Sequence, residues 1–141
     1  MGILDALDTG TGALRAQSLR LDVHAKNVAN VDTPNYVRLI PILSSTNQLG
    51  FGSSVGSAIN GVATLKGGVT FSGVMEDPNL GEKIYKPGHP DADENGFIRA
   101  SNVDPSVEMA DAILAQRAYE ANLALVNVTR AMAMKAADIG R

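Results

Sequence analysis

The chain has no cysteine and no tryptophan, and only three Phe and three Tyr among its 141 residues. Without cysteine there is no disulfide, no thiolate metal ligand and no Cys nucleophile. Much of the apolar share is Ala, which buries little area per residue, so a thick aromatic-rich core is excluded. Strong charge of one sign is also missing. The net charge is −3 and the basic residues are scattered, which leaves no electrostatic footprint for nucleic acid. No run of about 18 apolar residues exists to insert into a membrane. The opening MGILDALDTG lacks early positive charge and an apolar h-region, so no cleaved secretory signal is expected. Ala6 occupies the Ser/Thr position of the myristoylation pattern. What fits is one modest domain, or a small core with long appendages.

Three zones differ in kind: residues 1–36 as an N-terminal helix and its stop, 37–101 as a β-rich middle, and 102–141 as a C-terminal helix. In the first, Leu4, Leu7, Leu14, Leu21 and Val28 share a face with Thr11, Ser18 and Ala25 at alternating steps of three and four. This is a heptad seam, and it predicts a helix over about residues 3–31. Gly10 and Gly12 weaken that helix by about 1 kcal/mol each relative to Ala. From Leu39 to Met75 the only charged side chain is Lys66, and seven glycines punctuate the stretch. Residues 37–40, 61–65 and 68–71 read as strands, with Pro41 allowing at most an edge strand. The Gly/Ser-rich excursion at 45–60 reads as a flexible loop.

Asp104-Pro105 opens the third zone: Asp caps, Pro suits the first helical turn, and Glu108 and Asp111 complement the positive end of the dipole. Val107, Leu114, Ala121 and Val128 interleave with Ala118, Leu125, Met132 and Ile139 at heptad spacing. Ile113, Ala124, Ala131 and Met134 widen the stripe, so this helix needs several neighbours. The fold class is therefore α+β, with long terminal helices in a coiled-coil-like bundle around a small β-rich segment. Seams of this length point to partner helices between molecules. A closed hairpin of the two helices, with nothing left to bind, is the alternative.

Motifs for chemistry are sparse. Asp91, Asp93, Asn95 and Gly96 occupy the first, third, fifth and sixth places of a calcium loop. The twelfth place, however, is Asn102 instead of Glu, the ninth is Arg99, and Pro87-Gly88-His89-Pro90 replaces the entering helix. A polar turn with left-handed backbone at Asn95-Gly96 fits better. His24, on the polar side of the first helix, and His89, in a proline-rich turn, form no evident catalytic pair. No phosphate-cradling, zinc-protease or nucleophile-elbow motif occurs. Catalytic residues, cofactors and metals are all expected to be absent. The segment AKNVANVDTPNY runs from helix into a stop. Asn30 and Asp32 compete with the helical backbone, Pro34 excludes Thr33 from helical geometry, and Asn35 tolerates a left-handed turn. A plain helix end does not require both Asn27 and Asn30.

This segment, with Asn27, Asn30, Thr33, Pro34 and Tyr36, resembles the N-terminal signature of bacterial flagellar axial proteins, the rod, hook and filament-joint components. Residues 85–98, Asn102-Val103-Asp104, Glu108-Met109, residues 117–122 and Ala131-Met132 resemble the proximal-rod members of that family. Asn35 departs from the Gly common among relatives. The resemblance implies a structural, non-enzymatic subunit of the proximal rod, the periplasmic drive shaft that transmits torque from motor to hook. It implies export through the flagellar type III apparatus without a cleaved signal peptide. It also implies assembly with copies of itself, with other rod proteins, and with the membrane-embedded ring and its adaptor. No nucleic acid and no membrane insertion are implied. Assembly would run through Leu7, Leu14, Leu21 and Val28 and through Leu114, Ala121, Leu125, Val128 and Met132, with Asn27 and Asn30 fixing register by hydrogen bonds. Other axial rod proteins, and an intracellular coiled-coil adaptor, are the competing readings.

Overall fold

The computed structural model describes residues 2–46 and 67–139. The strand expected at 61–65 and most of the Gly/Ser-rich excursion lie outside them. Helix α1 runs Ile3–Ala29 and helix α2 runs Pro105–Ile139. Between them lie β1 (Leu39–Ser45), β2 (Val69–Glu76), β3 (Lys83–Tyr85) and β4 (Phe97–Arg99). The fold class is α+β, as the sequence implies.

Both helix starts, and the end of α1, have local reasons. The Asp5 carboxylate accepts the Gly2 N–H at 3.1 Å, which puts negative charge on the positive end of α1. At its other end the Asn30 amide donates to the Lys26 carbonyl at 2.8 Å, and Thr33 Oγ1 donates to Asn30 Oδ1. Asn35 then takes φ 60°, the left-handed turn that Asn accommodates better than other non-glycine residues. At the start of α2, Asp104 Oδ1 accepts the Ser106 N–H at 2.8 Å and Pro105 occupies the first turn, an N-cap followed by a residue preset for helix.

The helices pack antiparallel, since Gly10 meets Val126 while His24 meets Glu108. Gly10 permits that approach: a Cβ would fall 2.5 Å from Val126 Cγ2, so the valine would have to shift. Among the described side chains of α2, those not exposed are Glu108, Asp111, Ala112, Ala115, Ala118, Asn122, Val126, Thr129 and Ala133. They recur at steps of three and four, and Val126 is the sole apolar side chain among them larger than Ala. Apart from Ala118, which turns inward, the described members of the heptad stripe read from the sequence lie on a different face. Leu114, Leu125, Val128 and Met132 are each more than half exposed, and Ala121 is exposed too. On α1, Leu7, Leu14 and Val28 are half-buried and Leu21 is exposed. A hairpin closes, therefore, but through its small and polar residues, and it leaves the apolar stripe outside.

β1 and β2 form a two-stranded antiparallel sheet with a bulge between Ile42 and Leu43. Both strands are edges, so Pro41 is tolerated in β1. β3 and β4 form a second antiparallel pair, closed by the DADENGFIR turn. There Asp93 Oδ1 accepts the N–H groups of Asn95 and Phe97, each at 2.9 Å, and Gly96, with φ +78°, supplies the left-handed residue. The side chain that a calcium loop would spend on an ion closes a turn instead. Among the described residues no group of three or more His, Asp or Glu is arranged to hold a metal. Nor is any described helix long and apolar enough to cross a membrane.

Candidate functional site

The most constrained part of the molecule is where α1, the stop loop, β1 and the first turns of α2 meet. Asn27 is fully buried, and its amide is saturated. Nδ2 donates to the Leu39 carbonyl at 2.8 Å and to Glu108 Oε2 at 2.9 Å. Oδ1 accepts the Leu39 N–H at 2.9 Å and the Tyr36 hydroxyl at 3.1 Å. The side chain thus pairs with Leu39 as a neighbouring strand would, and supplies β1 with backbone partners at the point where the chain leaves the loop. Asn30, three residues on, makes only the local bonds that end the helix.

Glu108 is the second buried group, and three side chains from α1 and the loop before β1 converge on it. His24 Nδ1 lies 2.7 Å from Oε2, Asn27 donates to the same oxygen, and Arg38 Nε donates to Oε1 at 2.5 Å. Burial alone would raise the Glu108 carboxyl. The hydrogen bonds from Asn27, His24 and Arg38, with the Arg38 charge, outweigh that and hold it below the ordinary range. Burial raises the Tyr36 hydroxyl, and the Glu108 charge adds to this. Arg38 also reaches Asp77 at 3.7 Å and Asp111 at 3.8 Å, while Arg20 lies 3.9 Å from Asp111.

His24 differs from the sequence reading. Its side chain is 2% exposed and does not sit on a solvated face. Facing a carboxylate, Nδ1 carries the proton, and Nε2 is buried with no hydrogen-bond partner among the described residues. Glu108 and Asp111 likewise do more than complement a dipole, since they are the acceptors of the joint. The sequence signal was available: His24 and Asn27 are three apart, as are Glu108 and Asp111. Nothing local, however, pairs segments 84 positions apart.

The loop is tied to the second β pair as well. Asn35 N donates to the Arg99 carbonyl at 2.9 Å, and Arg99 N donates back to Asn35 Oδ1 at 3.2 Å. Arg38 N donates to Asn102 Oδ1 at 2.6 Å, and Asn102 donates in turn to the Asn79 carbonyl. Of the motif residues, Asn27 and Tyr36 enter the buried joint. Asn30 and Thr33 bond to each other at the helix end, and Pro34 lines a shallow surface groove with Ile84 and Ile98. The apolar residues named for assembly are not brought into the joint.

The geometry defines a two-helix subunit with a small β insert, locked at one end and apolar outside. Comparison with known proteins places it. Residues 7–36 match the family model for the flagella basal body rod protein, and residues 94–139 match the C-terminal model of flagellar basal body rod FlgEFG proteins. The chain is 35% identical to the flagellar basal-body rod protein FlgC of Bacillus subtilis (strain 168), with all of both chains covered. It is 32% identical to that of Yersinia enterocolitica, again over the whole of both. The FlgC of Buchnera aphidicola subsp. Acyrthosiphon pisum is 33% identical, over 99% of this chain and 98% of the relative. The chain belongs to the flagellar basal-body rod protein family, of the FlgC type. It is a structural subunit of the rod in the flagellar basal body, and associates there with other rod and basal-body proteins.

Proposed function

We propose that this subunit builds the proximal part of the rod and transmits torque along it through its terminal helices, with no enzymatic step. One observation carries this reading. The outward face of α2 holds Ile113, Leu114, Leu125, Val128 and Met132, each between 51% and 62% exposed, while its inward face is already filled by α1. A row of large apolar side chains along a 35-residue helix is far more than a lone hairpin leaves in water without a partner. Leu7, Leu14, Leu21 and Val28 on α1 are the half-buried to exposed counterpart, and Ala121 on α2 allows close approach. The occupants are helices of other copies and of other rod proteins. Residues 1–36 and 102–141 act as assembly segments around the β-rich insert of 37–101, and the chain's partners extend to the membrane-embedded ring and its adaptor.

In the same reading the chain leaves the cell through the flagellar type III apparatus without a cleaved signal peptide and works in the periplasm. A chain with no cysteine has no disulfide to form before or after passage. The test is Leu125→Asp in cells that lack the native copy. Swimming should be lost and basal bodies should end before a complete rod, while the variant is still exported and the purified monomer keeps its fold. Normal swimming would remove the outward stripe from the interface.

A further inference from the structure

We propose that the register of α1 against α2 is set by the buried Glu108 joint, with Glu108 as the positioning residue, and not by the seam between the helices. This concerns the isolated monomer and holds whatever the chain assembles with. The α2 side of the seam is nearly featureless, because Ala112, Ala115, Ala118, Thr129 and Ala133 offer little for Val23 and Leu14 of α1 to interlock with. Knobs of Ala fit equally well one heptad along. Outside the joint's own donors, Val126 seated over Gly10 and the half-exposed Arg20–Asp111 pair at 3.9 Å mark a position.

The joint marks it far more sharply. A slip of one heptad moves α2 by about 10 Å, and that carries Glu108 away from His24, Asn27 and Arg38 together. Three buried or half-buried donors would then lose their shared acceptor. A buried polar group that fixes alignment is the best-attested use of such groups in paired helices. Here the alignment also decides which outward residues of α1 and α2 lie side by side.

The absence of cysteine makes the test clean. The Cβ of a residue placed at Gly10 lies 3.9 Å from Val126 Cβ, inside the range a disulfide spans. Gly10→Cys/Val126→Cys therefore reports the native register, and Gly10→Cys/Val126→Ala/Ala133→Cys, in which the valine is likewise removed so that a Cβ at position 10 meets no clash, reports a slip of one heptad. Both remove the valine from its notch, so a register that persists does not depend on that notch, and the Glu108 variants test whether it depends on the joint. Both are made in the full chain, oxidised at dilute concentration, and scored on non-reducing gels. The native pair should close at least about tenfold faster than the slipped pair, and Glu108→Ala should cut that ratio by about tenfold. Glu108→Gln, which keeps the shape but loses the charge, should lower it less. An unchanged ratio in Glu108→Ala or Glu108→Gln, with helicity retained by circular dichroism, overturns the proposal. So does a ratio near one with Glu108 intact, a result that does not depend on how either Glu108 variant folds.

Discussion

At the end of the hairpin where α1 runs into its stop loop, Asn27, His24 and Arg38 close around a carboxylate with no solvent exposure. At the opposite end, about 20 Å away along α1, Gly10 lies under Val126 with nothing polar between them. The first end is held by directional bonds that tolerate one arrangement. The second is held by close approach of small residues, which tolerates several. The same division runs around α2, whose inward face is Ala and polar residues with Val126, and whose outward face carries Leu, Ile, Val and Met. Inside the fold the large buried apolar side chains are few, Val23, Ile98 and Val103 among the described residues, and polar groups share the internal work with them.

That contrast is tested first at its strongest point. Glu108→Ala strips three donors of their acceptor and should cost about 3–5 kcal/mol, the usual penalty for breaking a buried charged pair, read from urea unfolding. The joint also carries a pH signature. A carboxylate held below its ordinary value lets the unfolded chain take up more protons, so stability rises with pH. The contribution is complete above the ordinary value near 4.5 and is lost as pH falls through the lower folded value. Glu108→Gln should flatten that acid slope, and an undiminished slope would mean another group is responsible.

Asn27→Ala comes next, at about 2–3 kcal/mol, because it leaves the Leu39 backbone and Tyr36 without partners. Asn30→Ala, which breaks only local bonds, should cost about 0.5–1 kcal/mol. Equal losses at the two asparagines would erase the distinction drawn between them. At the open end, Gly10→Ala adds a helix-favouring methyl into the side chain of Val126. A net loss of about 1 kcal/mol is expected, and Val126→Ala should rescue it, with both read in thermal melts. The smallest effect belongs to the outward stripe. Leu125→Asp should change monomer stability by no more than about 0.5 kcal/mol, so a large loss would show that this face packs inside the monomer.

Much of this was legible in the chain. The Asp104-Pro105 start, the stop from Asn30 through Asn35 and the turn at Asp93–Gly96 are local, and each rests on side chains within a few residues. The heptad stripes of both helices were also legible, since periodicity needs no partner to be seen. Their direction was not. Apolar spacing says that a face will be covered and leaves open by what, so the stripe on α2 reads equally as an inner seam or an outer one. β3 and β4 escaped notice because three-residue strands carry no alternation to detect. His24 read as a solvated residue because its neighbours on α1 are polar, and its burial comes from Glu108 on the other helix.

The sequence by itself determined where the helices start and stop, that no disulfide or thiolate site forms, and which family the chain belongs to. Those follow from residue chemistry within one segment, or from motifs read in order. Tertiary structure decided which face of each helix turns inward, and that a carboxylate at 108 meets His24, Asn27 and Arg38. The reason is energetic. Glycine and alanine let two backbones approach closely, and a buried carboxylate is tolerable only where its donors already converge. Neither condition exists until the two ends of the chain are brought together.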